Sequence, residues 1–273
     1  SQGGGLYRCF GVIENNQILH NFAVAEGGGL SACGGRVAGN RIAENAAALG
    51  GGASGGLARF DGNAIEKNQA TASGGGLYQC GGPLLNNSIL GNIAGADGGA
   101  MADCEQTSAV QNQFEQNVAA GSGGAVARGS GLLRNNLFSG NSAAKGGAVG
   151  DFQGRIDGNR LRENIAQRGG ALSNCDGLVQ NNEISANRAS RGAGIDSCQG
   201  TIQNNTFAWN AGRDNGAGGI FPVSGEAIYF AGAGVALNDN IFSGYDGPAI
   251  VAESFDRGAS RIFIERNMFS DSS

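Results

Sequence analysis

Large apolar residues recur along this chain at intervals of 23 to 25 residues, with three to a repeat. Ile18, Ile42, Ile65, Ile89, Phe114, Phe138, Leu161, Ile184 and Phe207 form one row. A second row holds Ile13, Val37, Phe60, Leu84, Leu133, Ile156, Val179 and Ile202, and a third holds Leu6, Leu30, Leu77, Met101, Val126, Val149, Leu172 and Ile195. Between them stand polar residues and glycine. Short, separated apolar positions rich in β-branched residues predict short strands, because a helix would need apolar residues every third or fourth position over longer runs. No single repeat can bury three such strands alone. Stacking the repeats as coils, each strand paired in parallel with its equivalent one turn on, buries one continuous core.

Two polar rows keep the same period. Asn16, Asn40, Asn63, Asn87, Asn112, Asn136, Asn159, Asn182 and Asn205 form the first, and this alignment continues to Asp239 and Asn267. Five residues later run Asn21, Asn45, Asn68, Asn92, Asn117, Asn141, Asn164, Asn187 and Asn210. The residue before the first row is mostly Asn or Gly, such as Asn15, Gly39, Asn135 and Gly158. Both types tolerate a left-handed backbone, so each marks a tight corner. The asparagine that follows points inward and bonds its equivalents above and below. Ala23, Ala47, Ala70, Ala94, Ala143, Ala166 and Ala189, just before the glycine pair, are expected to make room for a third corner.

Composition narrows the classes. Glycine accounts for 52 of 273 residues, which disfavours helices, and only 3 prolines accompany it. Net charge is −5 and no Lys/Arg run occurs, so a nucleic-acid partner is not expected, nor is a membrane span. The expectation is an all-β chain: residues 1–273 form one solenoid domain of about eleven coils of roughly 23 to 24 residues, with three short strands per coil.

The motifs Gly98-Gly-Ala-Met101, Gly123-Gly-Ala-Val126, Gly146-Gly-Ala-Val149 and Gly169-Gly-Ala-Leu172, paired with FEQN, FSGN, LREN and ISAN, resemble the repeats of polymorphic outer-membrane proteins. More broadly the chain is similar to the right-handed parallel β-helices of the pectin-lyase-like superfamily. The resemblance covers nearly the whole chain and implies the right hand of the coil. It speaks to architecture more than to activity, since the superfamily holds adhesins and passengers alongside lyases, hydrolases and epimerases.

Six cysteines share one repeat position and fall in neighbouring coils as Cys9/Cys33, Cys80/Cys104 and Cys175/Cys198. Equivalent residues of adjacent parallel strands lie about 4.8 Å apart, within disulfide range. Three disulfides are therefore expected, against the alternative of reduced thiols filling the core. A zinc site is not expected, as no His or further Cys lies near each doublet.

The eight coils before Asn205 carry almost no insertions with which to wall a groove, and the Asp signatures of the superfamily's hydrolases and epimerases are missing. The single histidine, His20, falls in an outward row with Glu44 and Lys67. The best case for catalysis is Asp103, Glu105, Arg128, Asp151 and Asp176, which follow the glycines in coils five to eight. Carboxylates one or two coils apart could act as acid and base on a glycosidic bond, or hold Ca²⁺ in a lyase. Otherwise no cofactor is expected. The repeat breaks at 211–236, a region read as a cap or a binding insertion. Around it stand Trp209, Phe221, Tyr229 and Phe230, of which Trp209, Tyr229 and Phe230 are candidates for stacking on sugars.

The leading expectation is thus an extracellular or cell-surface module, structural, adhesive or carbohydrate-binding, without catalysis. Its partner would be a polysaccharide or a host or cell-surface glycan. The runner-up is a polysaccharide lyase or glycoside hydrolase. The first repeat follows only two residues, which raises end-to-end self-association or a longer parent chain as further expectations.

Overall fold

The computed structural model describes residues 3–212, 226–230, 234–245, 247–252 and 262–270. Every regular element among them is a β-strand, and the strands stack into three parallel sheets of eleven. The first sheet runs from Leu6–Tyr7 to Ile250–Ala252, the second from Phe10–Glu14 to Phe263–Glu265, and the third from Gln17–Leu19 to Met268–Ser270. Each coil contributes one strand to each sheet. Residues in register are those the repeat aligns, as in Leu77↔Met101, Ile156↔Val179 and Phe114↔Phe138.

The three apolar rows point inward and make one core. Where the third-sheet row is aromatic the rings stack: Phe114 on Phe138 with centroids 4.8 Å apart, and Phe207 on Phe242 at 4.9 Å. Both asparagine rows are ladders. Asn63 donates from its backbone N–H and its Nδ2 to Oδ1 of Asn87 at 2.9 Å each, and from Nδ2 to the Val37 carbonyl of the coil below. The residue before each ladder asparagine is left-handed, as Asn135 (φ 54°) and Gly158 (φ 65°) show.

Three expectations are corrected. The first ladder passes from Asn205 to Asn240 and on to Asn267, so Asp239 (φ 55°) is the corner residue and not a rung. The third corner lies at the residue before each cysteine position, where Arg8, Ala32, Gln79, Asp103, Arg128, Asp151, Asn174 and Ser197 are all left-handed. The buried alanines instead begin a further turn. Two short additional sheets pair there, Ala46–Ala47 through Val118–Ala119 and Arg188–Ala189 with Ala211–Gly212. The chain then crosses close to the neighbouring coil at the glycine pair: a Cβ on Gly29 would lie 2.6 Å from the Gly52 carbonyl.

Finally, no disulfide joins Cys9 to Cys33, Cys80 to Cys104 or Cys175 to Cys198; all six cysteines are free thiols. Neighbouring thiols lie within side-chain hydrogen-bond reach of each other. Cys104 Sγ accepts the Cys80 backbone N–H at 3.3 Å, and Cys198 Sγ accepts that of Cys175 at 3.2 Å. Each of these two sulfurs takes the part of an asparagine Oδ1 toward the neighbouring backbone, and meets its partner cysteine as a thiol rather than in a covalent bond.

The insertion leaves the stack intact on both sides. Ala211–Gly212 still pairs with Arg188–Ala189, and Ile228–Phe230 resumes the first sheet against Ile195–Asp196. Much of the segment expected as a cap, with Phe221, lies outside the described residues. No helix among the described residues is long and apolar enough to cross a membrane.

Candidate functional site

The candidate acids gather at the corner between the first and second sheets. A left-handed residue turns its side chain outward there, so the stack Gln79, Asp103, Arg128, Asp151, Asn174 forms a polar ridge along the axis. Rungs are separated by the coil rise, about 4.8 Å. Arg128 forks onto the Asp103 carboxylate of the coil below, with Nε at 2.8 Å from Oδ1 and Nη2 at 2.9 Å from Oδ2. The same guanidinium reaches Asp97 and the Ser73 hydroxyl, the latter at 3.2 Å. Asp97 is fixed in turn by the Ser122 N–H at 2.7 Å.

Burial pushes the Asp103 carboxyl above its ordinary range, a hydrogen bond from Tyr78 opposes this, and nearby Glu105 adds to it. Burial, followed by the charge of Asp103, raises the Tyr78 hydroxyl. The bidentate, charge-assisted contact with Arg128 favours the ionised carboxylate at neutral pH. Of the other predicted residues, Glu105 accepts from the Ser130 hydroxyl at 2.8 Å, and Asp151 accepts from Asn174 at 2.6 Å. Asp176 stands apart on the strand Asp176–Gln180, three coils from Asp103 or about 14 Å.

Asp103, Glu105 and Arg128 are thus brought together, while Asp151 and Asp176 are not part of that group. Ser73, Tyr78 and Asp97 belong to it and escaped the sequence reading. The polar position just before each glycine pair, which carries Glu26, Ser73, Asp97 and Ser122, was the signal for two of them.

Beside this group lies a groove of about 500 Å³, lined by Gly56, Leu57, Gln79, Gly81, Asp103, Glu105 and Gln106. Gly56 and Gly81 supply no side chains to fill it, and the Leu57 side chain lies alongside Gly81 and is 78% exposed. An extra residue in this coil, expressed as the turn at Glu105 and Gln106 (φ 53°), raises the groove's far edge. Among the described residues no group of three or more His, Cys, Asp or Glu could hold a metal ion.

The residues 100–269 match the family described as the right handed beta helix region. The chain belongs to this right-handed β-helix family. A search of curated proteins and one of solved structures each find no match for it.

The aromatic candidates of this β-helix separate by exposure. Tyr229 and Phe230 are buried, Tyr229 beneath the Arg191 guanidinium at 4.3 Å from its ring centre and Phe230 within the core. Trp209 is 61% exposed. It sits at the left-handed corner before ladder residue Asn210, and its ring covers Gly244 of the next coil, where a Cβ would lie 2.7 Å from ring atoms. His20 is an exposed corner residue paired with Glu44 at 3.2 Å.

Proposed function

We propose that this β-helix is an extracellular or cell-surface module that binds carbohydrate on a rigid structural prism and carries out no catalysis. The observation that carries the reading is Trp209. Its indole lies against Gly244 of the next coil and the residue is 61% exposed. A flat apolar ring with a polar N–H, fixed on a rigid stack, suits the apolar face of a sugar and loses little entropy when one docks. The acids support it as well. Asp103, Glu105 and Asp151 each engage a residue one coil away, which explains them as ties between coils.

The test uses the single tryptophan of the chain, whose emission reports the site directly. A glycan array followed by fluorescence titration should find a ligand that shifts the emission, and Trp209→Ala should abolish binding at unchanged thermal stability. An array without binders, or a Trp209→Ala variant that binds as wild type does, overturns the reading.

A lyase or hydrolase is the second reading, and the groove at Asp103 and Glu105 is what favours it. Release of reducing ends or unsaturated products that is lost in Asp103→Asn would establish it.

A further inference from the structure

Arginines of this β-helix mostly spend their charge on acids in the same or adjacent coils: Arg36 on Glu14, Arg41 on Glu66, Arg134 on Asp157, Arg160 on Glu183 and Arg191 on Asp196. One face departs from this. The position before the glycine pair is acidic at Glu26 and Asp97, then basic in three successive coils, at Lys145, Arg168 and Arg191. Lys145 bridges Arg168 in parallel register and Arg168 bridges Arg191, so like charges stand directly opposite one another. Arg188 lies on the same face, bridged to Ile165 and paired with Ala211. Lys145, Arg168 and Arg188 are exposed, and none of the three forms an ion pair among the described residues. Stacked like charges repel, and an isolated basic strip is the reverse of what a chain of net charge −5 would scatter by chance.

The strip runs toward Trp209. Ala211, two residues after Trp209, pairs with Arg188, so Trp209 occupies the next coil at the corner edge of this same face. Measured along the axis, Lys145 and Trp209 are three coil steps apart, about 14 Å, the reach of a short oligosaccharide. Cations repeat at the coil rise, which is comparable with the advance of one sugar residue in an extended chain. Glu163 stands on the corner edge, two coils before Trp209.

We infer that this face binds a linear anionic polysaccharide, with one sugar ring on Trp209 and its successive carboxylate or sulfate groups on Arg188, Arg168 and Lys145. The inference rests on the carbohydrate-binding reading and names its ligand class. Lys145 and Arg168 are point and forked donors respectively, and among the described residues neither has an ion pair to break before it meets an anion.

Calorimetric titration with polygalacturonate, dextran sulfate and neutral dextran tests it. The anionic polymers should bind and the neutral one should bind far more weakly, with affinity falling about tenfold or more between low and physiological salt as the charges are screened. The double variant Lys145→Gln/Arg168→Gln should lose about tenfold or more for the anionic polymers, Glu163→Gln should gain, and the thermal midpoint should stay put. Equal binding of neutral and anionic polymers, or a double variant that binds as wild type does, overturns the anionic ligand while leaving carbohydrate binding standing. Equal binding of single-stranded DNA through the same residues overturns the assignment to a polysaccharide. Failure of every glycan to bind overturns both readings.

Discussion

At the residue scale, the ladder asparagine joins three coils through one amide. Asn136 donates from its N–H and Nδ2 to Asn159 Oδ1 and from Nδ2 to the Ala109 carbonyl, while its Oδ1 accepts from Asn112. Asn136→Leu keeps the backbone N–H but removes both Nδ2 bonds and the Oδ1 that accepts from Asn112 in a buried site, and a loss of about 2 to 5 kcal/mol is expected in reversible denaturant unfolding. Asn135→Gly at the adjacent corner should change stability by less than about 1 kcal/mol, because Gly158 already fills the equivalent left-handed position. A greater loss from Asn135→Gly than from Asn136→Leu would contradict the assignment of rung and corner. Gly177 answers to a different constraint. At φ 129° a Cβ there would lie 2.2 Å from the Gly154 carbonyl, so Gly177→Ala must displace backbone and should cost more than about 2 kcal/mol in the same assay.

At the scale of elements, the second sheet carries an outward polar ladder. Arg134, Asp157, Gln180 and Gln203 are in register, and Asp157 gathers Gln180 at 3.2 Å, Asn181 at 2.9 Å and the guanidinium groups of Arg134 and Arg155. Burial alone would raise its carboxyl. The hydrogen bonds from Asn181 and Gln180 and the two arginines outweigh it and hold the group below its ordinary 3.8. A depressed carboxyl stabilises the fold above the unfolded-state value, and that contribution is lost as pH falls below 3.8 through the folded-state value. Asp157→Asn should therefore unfold at lower urea than wild type at pH 7, with the gap closing in strong acid. An unchanged midpoint at pH 7 would count against this. The second asparagine ladder ends differently from the first: Asn210 Nδ2 meets the hydroxyl of Tyr245, which burial raises above its usual range.

At the scale of the molecule, the six cysteines report whether coils are covalently joined. Burial raises the Cys33 thiol; the side-chain hydrogen bond with the Cys80 thiol and burial raise Cys104 well above its usual range, and burial followed by the side-chain hydrogen bond with the Cys175 thiol does the same for Cys198. Thiolates are the reactive form, so the native protein should react slowly with a thiol reagent apart from the partly exposed Cys9. In denaturant without reductant all six should react. Fewer than six would show that coils are cross-linked after all. Stacking along one axis also explains why the far-ultraviolet circular dichroism spectrum should show β structure with little helix.

Inward rows, the left-handed corner before the first ladder and the rungs were legible in the sequence because each is a local demand repeated at a fixed period: an apolar side chain, a tolerated φ, an amide. Asp103, Arg128 and Trp209 were recognisable as outward candidates on the same grounds. What repetition could not supply was anything decided between coils or across an irregular gap. Asp239 aligned as well as Asn240 because the insertion broke the period, and only strand register chose between them. Cysteine spacing allowed a disulfide, but only the structure shows the paired cysteines as thiols, with Cys104 and Cys198 each accepting a backbone N–H of the preceding coil. Tyr229, Phe230 and Trp209 are alike as letters, and packing alone buried two of them and left the third open. Likewise the partners of Arg128, and the strip of Lys145, Arg168 and Arg188 without an ion pair among the described residues, follow from side chains brought together by residues some 20 or more positions apart. Composition fixes the charges available, and the stacking of coils decides which of them meet.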